Sequence, residues 1–148
     1  MWDKFLGFLK QKKQVAPRAS GKKRRILVID DNEIDRRIVE KLLGRGDYEL
    51  IFADNGEAGL KKARSEHPNL ILLDCVMPGM SGTEVCQILK KDKDLKRIPV
   101  IFLTGMDSPT YVINCYDIGA EHYLNKPINA KELMTQIELT FKELDLAG

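Results

Sequence analysis

Four short runs of branched apolar residues, 26–29, 50–52, 70–73 and 100–103, with a weaker fifth at 122–124, decide what this chain can become. Runs this short and this continuous read as strands buried on both faces, which is the habit of parallel sheets. Helical patterns fill the gaps. Ile34, Ile38, Val39, Leu42 and Leu43 recur at helical spacing before Gly44 and Gly46. Residues 57–65 form a second helical pattern, ended before Pro68, and 83–89 a third, with Val85, Ile88 and Leu89 on one side. Residues 108–116 form a fourth, with Ser108 suited to the N-cap and Pro109 to the first helical position. Residues 130–144 carry Leu133, Ile137 and Phe141 on one stripe. Five strands alternating with five helices predict a doubly wound α/β sandwich with right-handed crossovers.

The 148 residues suit one domain and a short extension, and 43% hydrophobic content is enough for one core. No run reaches the length of a membrane-spanning helix. The first ten residues are too short, and too broken by Lys4, Gly7 and Lys10, for a secretory signal. Cys75, Cys86 and Cys115 fall inside predicted elements, as small buried hydrophobes in a reducing cytoplasm rather than as disulfide or metal ligands.

Charge divides the chain. Residues 1–25 carry nine Lys/Arg and one Asp, whereas the remainder carries more acid than base. The leader, residues 1–23, places Trp2, Phe5, Leu6 and Leu9 on one helical face, and from Gln11 it turns into a basic, polar linker. Three occupants of that face compete: an anionic membrane surface, a partner or second copy, and the chain's own domain. The linker's charge suits nucleic acid, but no element that reads bases accompanies it, so specific DNA binding is not expected.

In a doubly wound sheet the site forms outside the carboxyl ends of the strands. Asp30 and Asp31 follow the first strand, Asp74 the third, Thr104 the fourth and Lys126 the fifth. The predicted fold would bring three carboxylates, a hydroxyl and an ammonium into one cleft. Clustered carboxylates need a counter-charge, and an oxygen-only set suits a hard cation such as Mg²⁺. A carboxylate beside such a cation is a possible phosphoryl acceptor.

These residues sit in "ILVIDDN", "LLDCVMPGMSG", "VIFLTG" and "HYLNKP", and with them residues 24–146 resemble the receiver domain of two-component response regulators, the fold of the chemotaxis regulator CheY. The resemblance implies a flavodoxin-like (βα)5 sandwich with strand order 2-1-3-4-5, spanning 24–148. It makes Asp74 the phospho-acceptor and Asp30, Asp31, Asp74 and the carbonyl of Val76 the Mg²⁺ ligands, with Asp31 direct and Asp30 through water. Thr104 becomes the switch hydroxyl, Lys126 the partner of the phosphoryl group, Tyr123 the switch aromatic that turns inward on phosphorylation, and Lys126–Pro127 a cis peptide. The donor would be a histidine kinase or histidine phosphotransfer protein, and the output face would be the fourth helix, fifth strand and fifth helix, docking a downstream protein. Such a chain would be cytoplasmic, peripheral at a membrane if the leader binds one, and would catalyse only its own phosphorylation and dephosphorylation.

Val76 and Met106, two positions past Asp74 and Thr104, are apolar where polar residues are common in the family, which implies a slowly hydrolysed phosphoryl group. An alternative is a relay shuttle that passes the group to a histidine phosphotransfer protein. A haloacid-dehalogenase-type phosphatase would need a D-x-D pair after the first strand, where this chain has adjacent acids. A pseudo-receiver would lack a site residue, and none is missing.

Overall fold

The computed structural model describes residues 23–147; the leader reading for residues 1–22 lies outside them, as does Gly148. Five strands alternate with five helices: β1 Arg24–Ile29, α1 Glu33–Leu43, β2 Tyr48–Ala53, α2 Gly56–Glu66, β3 Leu70–Leu73, α3 Gly82–Lys91, β4 Val100–Thr104, α4 Pro109–Asp117, β5 His122–Asn125 and α5 Ala130–Ala147. All strand pairings are parallel, as the continuous apolar runs predict, and the order is β2-β1-β3-β4-β5, as the resemblance implies.

The pleat explains why the strands need continuous apolar runs. Leu27, Ile29, Ile71, Leu73 and Phe102 point to one face, beneath α2, α3 and α4. Ile26, Val28, Leu70, Leu72, Ile101 and Leu103 point to the other, beneath α1 and α5. Fully burying each such side chain is worth about 1.5–3 kcal/mol, so the sheet is the main apolar anchor.

Short loops after the strands start the helices with side-chain caps. Asn32, Asn55, Ser81 and Ser108 accept the backbone N–H three residues on. Each cap contributes about 1 kcal/mol and fixes where its loop ends. Register does the rest: Ile29 lies opposite both Ala53 and Leu73, Leu73 opposite Phe102, and Thr104 opposite Asn125. The strands therefore finish level, and the residues that follow them share one edge of the sheet. At the other end, Arg24 pairs with Asp145 on α5, its guanidinium 4.4 Å from the Phe141 ring centre. No helix among the described residues is long and apolar enough to cross a membrane.

Candidate functional site

Two backbone hydrogen bonds carry the sheet ladder one residue past its formal end. The Asp30 N–H donates to Ala53 O and the Asp74 N–H to Ile29 O, each at 3.0 Å. Both aspartates are thus held by sheet backbone, with side chains only 5% and 9% exposed. Asp31 is exposed and has no hydrogen-bond or ion-pair partner among the described residues. One carboxylate oxygen from each of Asp30, Asp31 and Asp74 lies within 4.8 Å of the others, a set that could hold a metal ion. The chemistry fits a hard cation: all donors are carboxylate oxygens, and no His or Cys joins the set.

Lys126 supplies the opposing charge. Its backbone N–H donates to Thr104 O at 2.8 Å, which fixes its base on β4, and the Lys126–Pro127 peptide is cis, as expected. Its Nζ lies 2.8 Å from Asp30 Oδ2, 2.8 Å from Asp35 Oδ2 and 3.4 Å from Asp74 Oδ2. Burial opposes the ammonium charge, but the hydrogen bonds to Asp30 and Asp35 outweigh it and hold Lys126 above its ordinary range. For Asp30, burial pushes the carboxyl up, and the bonds from Lys126 and the Asn32 N–H offset this only in part. A carboxylate kept in that condition gains from any further cation nearby.

Thr104 is buried at 1% exposure, its Oγ1 accepting the Met106 N–H at 3.4 Å. The Val76 N–H reaches Asp74 Oδ1 at 3.5 Å, while the Val76 side chain is 58% exposed. Cys75 and Cys115 are buried free thiols, their sulfurs 4.0 Å apart, as the sequence suggests. Tyr123 packs on the Phe102 ring with centroids 6.3 Å apart. Its hydroxyl is already buried, without a hydrogen-bond partner, and burial raises the phenol above its ordinary value. The ring packs against the buried cluster that contains Phe102, Cys75 and Cys115.

Sequence reasoning missed three contributors. Asp35 sits in the first turn of α1, its carboxylate against Lys126. Arg36 beside it donates to Asp30 O at 2.7 Å and ties α1 to the end of β1. Gly82 opens α3 directly against the loop that follows β3: a Cβ there would lie 1.9 Å from the carbonyl oxygen of Asp74. Only Gly82 carried a signal in the sequence, as a glycine just after the Ser81 cap.

Residues 26–138 match the response regulator receiver domain family. A probable transcriptional regulator, ycf27 of Porphyridium aerugineum, is 40% identical over 126 residues, covering 85% of this chain and 51% of that one. The chain spans about half the length of the curated relatives it matches in this way. Among solved structures, a receiver domain protein (CheY-like) from Methanospirillum hungatei JF-1 is 29% identical with a TM-score of 0.80, over 85% of this chain and 99% of that one. The Mn²⁺-bound form of response regulator Rcp1 is 36% identical with a TM-score of 0.68, over 77% and 88%.

Proposed function

The chain belongs to the response regulator receiver domain family of two-component signalling, and on that premise we propose that Asp74 is its phosphoryl acceptor. One observation carries the assignment: Asp74, nearly buried at the end of β3, is the point where Asp30 and Asp31 from the end of β1 and Lys126 from the end of β5 converge. The donor is a phosphohistidine on a histidine kinase or histidine phosphotransfer protein in the cytoplasm. An Asp74 carboxylate oxygen attacks phosphorus, the P–N bond breaks, and its electron pair returns to the imidazole nitrogen. The receiver supplies the catalytic groups and acts on no other substrate.

Asp30, Asp31, Asp74 and the carbonyl of Val76 would hold Mg²⁺, which when bound neutralises charge on the transferring group. The Mn²⁺ in the similar Rcp1 structure supports this, since both ions prefer oxygen ligands. Lys126 pairs with the phosphoryl oxygens as a point charge, and Thr104, once drawn toward them, donates its hydroxyl proton. Both groups stand on the strand ends next to α4 and α5, so their movement reaches the face of α4, β5 and α5, where Ile113 and Tyr116 are exposed. That face docks the downstream protein. An output receiver is preferred to a relay shuttle, because the curated relative described above is a transcriptional regulator.

The test is incubation of the full chain with acetyl phosphate, with and without Mg²⁺, followed by intact-mass analysis. Wild type is expected to gain one phosphoryl group only with Mg²⁺, and Asp74→Asn none. Equal labelling of the variant would overturn the assignment.

A further inference from the structure

Lys126 is not centred on the proposed acceptor. Its ammonium has three protons to donate, and its two shortest contacts, 2.8 Å each, go to Asp30 and Asp35, while Asp74 is at 3.4 Å. Asp30 belongs to the carboxylate cluster that could hold a metal; Asp35 does not. The Asp35 side chain is 20% exposed and that of Lys126 16%. Asp35 is rigidly mounted. Its N–H caps onto Asn32 Oδ1 at 3.0 Å, and Arg36 pins the same helical turn to Asp30 O. Lys126 is equally fixed at its base by Thr104 O. The ammonium therefore sits between two fixed ends, with Asp35 on the α1 side and Asp74 on the other.

We infer that Asp35 is a positioning residue, a second holding point that keeps Lys126 turned toward α1 and sets how readily it moves to a phosphoryl group at Asp74. This deepens the proposed function and rests on Asp74 as acceptor. A cation among Asp30, Asp31 and Asp74 takes over part of the Asp30 charge, which leaves Asp35 as the one fully competing anion. An incoming phosphoryl donor has to win Lys126 from it. Asp35 thus raises the donor concentration needed for phosphorylation, and it offers Lys126 a place to return to when the group is lost.

Full-length wild type, Asp35→Asn and Glu33→Gln are compared by phosphorylation rate across a range of acetyl phosphate concentrations at saturating Mg²⁺. Glu33 lies in the same helical turn and pairs with Arg37, so it controls for loss of charge alone. Asp35→Asn is expected to lower the half-saturating acetyl phosphate concentration by about 1.5-fold to fivefold, the size of one partly solvated charge pair, with less change in the maximal rate. Glu33→Gln should match wild type, and in a Lys126→Met background Asp35→Asn should have no effect. An unchanged Asp35→Asn, an equal drop in Glu33→Gln, or a drop that persists without Lys126 would each overturn the inference. If wild type takes up no phosphoryl group at all, the acceptor assignment fails instead. The holding contact is then judged by NMR of the Lys126 ammonium: its signal should be sharp in wild type and exchange-broadened in Asp35→Asn, and identical signals would refute it.

Discussion

Replacing Gly82 by alanine tests whether α3 is built against Asp74, the proposed acceptor. The new Cβ would stand 1.9 Å from Asp74 O and 2.8 Å from both Asp74 C and Cys75 Cα. All three are backbone atoms, so no side chain can swing aside. Real Cβ atoms keep at least 3.0 Å, and the two segments must therefore separate by at least 1.1 Å. A shift of that size stretches the Gly82 N–H to Cys75 O bond, now 2.8 Å, beyond hydrogen-bonding range. Overpacking costs about 1–3 kcal/mol and the lost bond about 1 kcal/mol, while alanine's better helix propensity returns at most about 1 kcal/mol. The net loss is about 1–3 kcal/mol, or roughly 4–12 °C in Tm for a domain of this size. Because the displaced atom is the carbonyl of Asp74, phosphorylation by acetyl phosphate should slow as well. Calorimetry and intact-mass kinetics on the same preparation check both. A Gly82→Ala protein that melts within 2 °C of wild type (about 0.5 kcal/mol,) and phosphorylates at the same rate would refute the packing argument.

Three further outcomes are expected. Tyr123→Phe removes a buried hydroxyl with no partner and should raise stability by about 1 kcal/mol in urea unfolding; a loss of stability would show that the hydroxyl is satisfied. The folded-state pKa of Lys126 is raised above its ordinary 10.5, so its contribution to stability is complete below pH 10.5 and is lost as pH rises beyond it. Wild type should accordingly exceed Lys126→Met at pH 8, the gap closing above pH 10.5; a gap that does not change with pH would contradict the charge argument. Finally, exposed Val76 and half-buried Met106 offer no polar group to orient a hydrolytic water. The phosphoryl group on wild type should last minutes or longer, and Val76→Asn with Met106→Gln should shorten that roughly tenfold; decay of wild type within seconds would refute it.

Much of this was legible because the fold and the site use the same signal. Buried parallel strands need unbroken apolar residues, so a polar residue at the end of such a run marks the edge where ligands bind. Asp30, Asp31, Asp74, Thr104 and Lys126 all stand at or just past such strand ends. The edges of the elements were less clear. β2 begins at Tyr48 rather than residue 50, since an edge strand tolerates the exposed Glu49 that breaks the apolar run. β1 reaches back to Arg24, whose guanidinium lies over Phe141 where an apolar side chain was expected to begin the strand. α2 ends on His67 in the left-handed region, φ 46°, instead of on a glycine. Asp35 was invisible for another reason. A carboxylate in the first turn of a helix is ordinary N-terminal chemistry, and only the three-dimensional placement of Lys126, 91 positions away in the chain, gives it a role.

The clamp of Arg24 onto Asp145 and Phe141 has a practical consequence for anyone labelling this protein. It closes the amino-terminal mouth of β1, and the strand then runs about 20 Å, at roughly 3.3 Å per residue, before it delivers Asp30 to the site. A fluorophore attached at Lys23 is therefore seated at the far pole of the sheet, away from the carboxylate cluster. The same attachment made near Gly79 or Gly105, in the loops that follow β3 and β4, would stand at the cluster's own end of the sheet.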